Sequence, residues 1–308
     1  MLVNGKPAFH HAEGMDDNYG VNVHTYARHA ETAEGYDDFY TDPRCRELYR
    51  RRVEAVLTRE NTITGVEYRE DPTIAMWELG NEIEWEKPWT HDDPSLRPWV
   101  EEMAAHVKSI DDNHLVTTGE FGWAGRNDFL ADHAPDTVDC CSVHYYPGPL
   151  AYDLASDPER SHPEFLAALV GTGQRELGKP VYVGEYNWKV PEGADPPFPE
   201  RNEELRAIHE ALAGADTAAA AFHALGRDAQ ENYPRVPATT YADTDEGSMA
   251  EFRRFARTMY EASAGGRSHG CRRSSNGPRG IAADQFESLD PHVQDRIVSI
   301  LDEVVESG

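Results

Sequence analysis

Lysine is scarce in this chain. Its 29 basic residues include only Lys6, Lys87, Lys108, Lys179 and Lys189, so the other 24 are arginines. Against them stand 56 acidic residues, for a formal net charge of −27. Such a surface repels polyanions, so neither nucleic acid nor an anionic membrane is an expected partner. Acid excess combined with lysine depletion fits a salt-adapted surface, whose self-repulsion concentrated salt would screen. Cysteine is scarce too. Cys45, Cys140, Cys141 and Cys271 form no C-x-x-C pair, so neither a disulfide framework nor a zinc site is expected. Long apolar runs are missing, which argues against a membrane span. The opening "MLVNGKPAFHH" lacks the apolar centre of an export signal. Neither G-x-G-x-x-G nor G-x-x-x-x-G-K-[ST] follows a strand pattern, so nucleotide binding has no support and no cofactor is expected.

What is present is a globular chain. Its 308 residues are 39% hydrophobic, too many for a disordered acidic protein and enough to bury a core. Asp42-Pro43 reads as an N-cap and first helical residue, opening "RCRELYRRRVEAVLTRE" with Leu48, Val53, Val56 and Leu57 on one face. "TIAMWEL", "HLVTTGEFG", "VDCCSVHYY", "PVYVGEY" and "AAAAFHAL" read as strands. Amphipathic helices alternate with them, among them "SLRPWVEEMAAHVKSI", "NDFLADHA", "HPEFLAALVGTGQREL", "RNEELRAIHEALAGA" and "MAEFRRFARTMYEA". The alternation implies a parallel sheet with helices outside it, either doubly wound or part of an eight-fold barrel. Residues 1–262 form this domain. Residues 263–282, rich in Gly, Ser and Arg, read as a flexible linker, and 283–308 as an appended amphipathic helix.

Three strand ends carry ionisable groups: Asn81-Glu82, His144-Tyr145-Tyr146 and Gly184-Glu185-Tyr186. In both architectures the carboxyl ends of strands build the site, so these segments should converge. Glu82 and Glu185 are then a candidate pair for glycoside hydrolysis, one carboxyl protonated and the other attacking. Asn81 could bind a sugar hydroxyl, and His144 or Tyr146 could orient a carboxyl. Trp77, Trp123, Tyr145 and Trp188 could offer stacking faces. With 56 acids in the chain, spacing alone leaves the bland alternative of surface carboxylates open. Glu84 and Glu86 read as surface acids, and Glu78 as a structural acid of its strand.

The stretch "DDFYTDPRCRELYRRRVEAVLTRENTITGVEYREDPTIAMWELGNE" resembles the central segment of glycoside hydrolase family 5, in its endo-β-1,4-mannanase-like branch. "YARHA", "VHYYP", "KPVYVGEYN" and "ALGRDAQENYPRVPATTYADTDEG" are similar to further family segments in the same order. The likeness runs from about residue 15 to 262. It implies a (β/α)8 barrel, a β-mannan-type polysaccharide as substrate, a retaining mechanism and no metal. Glu82 would be the acid/base, Glu185 the nucleophile, and His144 and Tyr146 supporting residues. Three departures accompany it. The chain opens where the first two strand–helix units and most of the third would already have passed, so an incomplete barrel is expected. "LVNGKPAF" would be a remnant of the third strand or of an opening hairpin. His223 stands where the resemblance expects a tryptophan beneath the sugar, and the aromatic expected after H-x-Y-P is missing from "GPLAYD". These departures keep open a second reading, a non-catalytic carbohydrate-binding relic.

Overall fold

The helix starts show why the chain folds locally as it does. In a computed structural model describing residues 2–3, 23–85, 92, 95–120, 126–146, 161–188, 198–223, 225–226, 241–242 and 245–264, Asp42 caps helix α3 as its sequence predicts. Its Oδ1 accepts from the backbone N–H of Arg44 at 2.8 Å and of Cys45 at 3.0 Å, with Pro43 next in line. The helices are α1 (Val23–Ala30), α2 (Asp38–Thr41), α3 (Pro43–Leu57), α4 (Arg97–Ile110), α5 (Arg126–His133), α6 (His162–Thr172), α7 (Pro199–Gly214) and α8 (Glu246–Ala264). The buried face of α3 is Cys45, Tyr49, Val53 and Leu57, a strict i, i+4 row. Leu48 and Val56 pack on its flank rather than at its centre.

The strands are β1 (Met76–Glu78), β2 (Leu115–Thr117), β3 (Cys141–Tyr145), β4 (Val181–Tyr186), β5 (Ala219–Phe222), β6 (Leu225–Gly226) and β7 (Tyr241–Ala242). β1 pairs with β2, β3 with β4, and β4 with β5, all parallel. Asp139 N–H to Val116 O at 2.8 Å and His144 N–H to Glu120 O at 3.0 Å join β2 to β3. The five strands therefore follow one another in chain order with helices between them. A doubly wound sheet would reverse order at a switch point; this succession is an arc of a β/α barrel wall. On the far side of β1, Leu2 N–H donates to Glu78 O and Asn81 N–H to Val3 O. Leu2–Val3, the described part of "LVNGKPAF", thus lies along that edge of β1; the rest of the segment lies outside the described residues. The short pair β6–β7 adds two strands to the five expected; two residues are too few to show a period.

Two buried clusters fill the space between strands and helices. The first gathers Tyr26, Phe39, Tyr40, Tyr49 and Trp99 with the inner faces of α3 and α4. The second is built on β3, β4, α6, α7 and α8. α8 reaches Ala264, two residues beyond the boundary set at 262. The linker and appended helix expected after it lie outside the described residues, apart from those two. Cys45, Cys140 and Cys141 are buried free thiols. Among the described residues, no helix is long and apolar enough to cross a membrane.

Candidate active site

Strand ends β1, β3 and β4 bring Glu82, His144, Tyr146 and Glu185 together. His144 Nδ1 lies 3.2 Å from Glu82 Oε1 and 3.6 Å from Glu185 Oε2. The Tyr146 hydroxyl donates to Glu185 Oε2. One oxygen from each glutamate and one nitrogen of His144 all fall within 4.8 Å of one another. So close an approach of the nearest oxygens suits the carboxyl spacing of about 5–5.5 Å used for double displacement better than the roughly 6.5–9.5 Å that admits a water between them. The same donors could approach a metal ion. However, His144 N–H already serves Glu82 and the Tyr146 hydroxyl serves Glu185, an arrangement that suits a pair of working carboxyls.

The backbone explains how Glu82 gets there. Its φ is +56°, and its N–H donates to Gly119 O at 2.7 Å. Gly119 itself has φ +76°, and a Cβ there would sit 1.8 Å from the Gly80 carbonyl oxygen. Only a glycine lets the two strand ends approach this closely. On the other side, a Cβ on Gly184 would sit 2.8 Å from His144 Nε2, so the missing side chain makes room for the imidazole. The pairing steps from Val143–Val183 to His144–Glu185, so Gly184 is an extra residue in β4 that re-aims Glu185 at the same level.

The electrostatics are those of a largely buried acidic cluster. Glu82 is 1% exposed and the His144 side chain 2%, whereas the Glu185 side chain keeps 17%. Burial lowers the His144 pKa. The hydrogen bond to Glu82 and the charges of Glu185, Glu82 and Glu78 outweigh it, so the imidazole ends above its ordinary 6.5. Burial raises the Glu78 carboxyl. Glu78 lies on the face of β1 that looks toward His144 and Glu185, and so joins the site's field.

Not every expected residue is in the cleft. Trp77 is a correction. It alternates with Glu78 along β1 and points the other way, buried, with Nε1 2.6 Å from Asp111 Oδ2 and its ring edge-on to His114. It is a core residue and offers no face to a sugar. Tyr145 is likewise buried, bonded to His162 Nδ1 at 2.6 Å. Glu84, expected at the surface, is buried. Trp123 and Glu86 lie outside the described residues. Asn81 is half-buried beside Glu82. His223 is exposed at the end of β5, its ring edge-on to Tyr146 at 6.4 Å and its carbonyl held by Asn187 Nδ2. Sequence reasoning passed over Glu120. The "TTGE" that ends β2 repeats the Gly-Glu ending of β4, a signal that was available.

Comparison with known proteins agrees with this fold. Mannan endo-1,4-beta-mannosidase 1 of Oryza sativa subsp. japonica is 36% identical over 181 residues, covering 50% of this chain and 40% of that protein. Mannan endo-1,4-beta-mannosidase 7 of Arabidopsis thaliana is 37% identical over 172 residues, covering 49% and 38%. The chain thus spans about two fifths of the length of these relatives. The endo-β-1,4-mannanase structure from Thermotoga petrophila superposes with a TM-score of 0.62 at 25% identity, over 79% of this chain and 56% of that one. The endo-1,4-β-mannanase of Rhizomucor miehei gives 0.63 at 23% identity, over 79% and 69%, a likeness of fold. The arc of strands is therefore part of a (β/α)8 barrel. Residues 13–169 match the family described as GH family 5 beta-mannosidase-like, and the chain belongs to that family.

Proposed function

We propose that this protein is a retaining glycoside hydrolase that cleaves β-1,4-mannan-type polysaccharide by double displacement. The observation that carries the reading is the approach of Glu82 and Glu185 to within 4.8 Å in a cleft built at strand ends. Glu82, almost wholly buried beside His144, takes the acid/base role that the family resemblance implies, delivering a proton to the leaving oxygen. Glu185 receives the Tyr146 hydroxyl and faces His144, and donors of this kind stabilise a carboxylate and aim it. In the first step Glu185 forms a bond to the anomeric carbon as the glycosidic C–O bond breaks, and the Glu82 proton passes to the departing oxygen. In the second, Glu82 takes a proton from water, the water oxygen bonds to the anomeric carbon, and Glu185 leaves as carboxylate.

The test is hydrolysis of β-mannan by the full chain in molar salt, matching the acidic surface, with Glu82→Gln and Glu185→Ala alongside. Turnover with retained anomeric configuration, lost in both variants, is the expected result. Unchanged activity in both sinks the assigned roles. One observation favours a second reading. His223, an exposed imidazole where the resemblance expects an indole, provides a smaller stacking face. Retention of mannan with no release of reducing ends would identify a binding relic.

A further inference from the structure

The end of β2 is stitched to β3 by side chains that the proposed chemistry does not use. Asp139 N–H to Val116 O and His144 N–H to Glu120 O bond the two backbones directly. Between those two points, side chains span the seam. Thr117 Oγ1 donates to the Cys140 carbonyl at 2.9 Å. The Ser142 N–H donates to His133 Nε2 at 3.0 Å, and Ser142 Oγ accepts from the Gly119 N–H at 2.7 Å. Thr118 Oγ1 lies 2.7 Å from His133 Nε2 and 3.2 Å from Ser142 Oγ. Thr118, His133 and Ser142 are wholly buried. Their hydrogen bonds form out of reach of bulk water, where each is strong and its loss costly.

Donor chemistry sets the direction of each bond. A backbone N–H can only donate, so His133 Nε2 carries a lone pair. The ring proton is on Nδ1, 2.8 Å from the Phe129 carbonyl and 3.3 Å from Glu120 Oε2. The Thr118 hydroxyl then donates to Nε2 and the Ser142 hydroxyl to Thr118 Oγ1, which leaves a Ser142 lone pair for the Gly119 N–H. Lys179 donates to the carbonyls of His133 and Pro135 and so fixes the end of α5. The peptide between Thr118 and Gly119 is thus gripped from both sides. Its N–H is held by Ser142, and its carbonyl accepts from the Gly80 N–H at 3.2 Å. The next carbonyl, that of Gly119, holds the Glu82 N–H. Gly119 has no Cβ to restrict its own backbone, so its conformation depends on such outside contacts. We propose that Ser142 is a positioning residue for Glu82. Its hydroxyl, oriented by Thr118 and His133, fixes the Thr118–Gly119 peptide and, through the Gly119 carbonyl, the left-handed backbone of Glu82. The activity arm of this inference rests on the hydrolase reading; the hydrogen-bond tie does not.

Ser142→Ala removes the hydroxyl and adds no bulk. The full chain, in molar salt, is assayed on β-mannan and on a dinitrophenyl β-mannoside, whose leaving group departs without a proton. Amide hydrogen exchange is followed by mass spectrometry on the same samples. If Ser142 aims the acid, kcat on mannan should fall about 10–100-fold with KM near the wild-type value. On the aryl mannoside kcat/KM should stay within about threefold, because the first step there needs no proton donor. Exchange in the peptide containing Glu82 should quicken. Thr118→Val breaks the same chain of hydroxyls one bond away, should give the same pattern, and decides if Ser142→Ala does not fold. Equal losses on the two substrates, the mark of a purely structural role, overturn the proposal. So does an unchanged rate on both. A wild-type chain that hydrolyses neither substrate sinks the hydrolase reading, and the exchange arm then decides alone. Faster exchange at the Glu82 peptide in Ser142→Ala keeps the tie, and unchanged exchange overturns it.

Discussion

Glu82 and Glu185 reach one point by opposite routes. Glu185 sits inside β4, just past an extra residue, Gly184, where the pairing slips, and opposite His144 across the sheet. Glu82 leaves the end of β1 with φ +56° and almost no exposure. For a non-glycine residue that left-handed backbone costs roughly 1–2 kcal/mol. A bulged strand delivers one carboxyl without a positive φ, whereas the other leaves its strand in left-handed backbone held by its surroundings: Gly119, Val3 and the end of β2. The difference teaches which contacts each role depends on, and it can be broken from either side.

The largest effect should come from the strand side. Glu185→Ala removes the proposed nucleophile and should lower kcat by about four orders of magnitude or more with every substrate. Glu82→Gln should cost roughly 10²–10⁴ on mannan. An aryl mannoside with a good leaving group needs no proton donor, so it should recover the first step in Glu82→Gln and not in Glu185→Ala; burst kinetics would read the contrast. Next comes the backbone on the Glu82 side. Gly119→Ala places a Cβ 1.8 Å from the Gly80 carbonyl oxygen at a positive φ. It should destabilise the chain by about 3 kcal/mol or more in denaturant titration.

Smaller effects sharpen the comparison. Tyr146→Phe removes the hydroxyl that donates to Glu185 and should lower kcat about 10–100-fold, the range of a hydrogen bond to a charged group, with little change in melting temperature. The smallest effect is a pH dependence. His144 has its folded pKa raised above 6.5 by the carboxylates around it. Its stabilising contribution is therefore complete below pH 6.5 and lost as pH rises through the folded value. His144→Gln should remove that part of the melting-temperature slope, worth no more than about 1.4 kcal/mol per pKa unit.

Legibility followed the same divide. The strand that carries Glu185 could be read from its apolar run, though not the extra residue at Gly184 that breaks its period, and the cap of α3 and the apolar rows of α3 and α4 could be read from residue spacing. The strained backbone of Glu82 could not, because it depends on a carbonyl 37 residues further along the chain, at Gly119. Trp77 misled for a related reason. Alternation places it and Glu78 on opposite faces but does not say which face looks into the barrel. The buried acids Glu84, Glu120 and Asp132 were hidden among 56 acidic residues. Burial is a property of three-dimensional packing, and a composition so rich in acid obscures the few that are inside.

The central claim is that Glu185, aimed by Tyr146 and His144 beside Glu82, attacks the anomeric carbon. Its most direct test is mass spectrometry of the full chain after incubation with a 2-deoxy-2-fluoro-β-mannosyl fluoride, which slows the second displacement and traps the glycosyl-enzyme. The account predicts a single sugar adduct on the peptide containing Glu185, absent in Glu185→Ala. An adduct on any other residue, or turnover of the reagent with no covalent adduct, would contradict it.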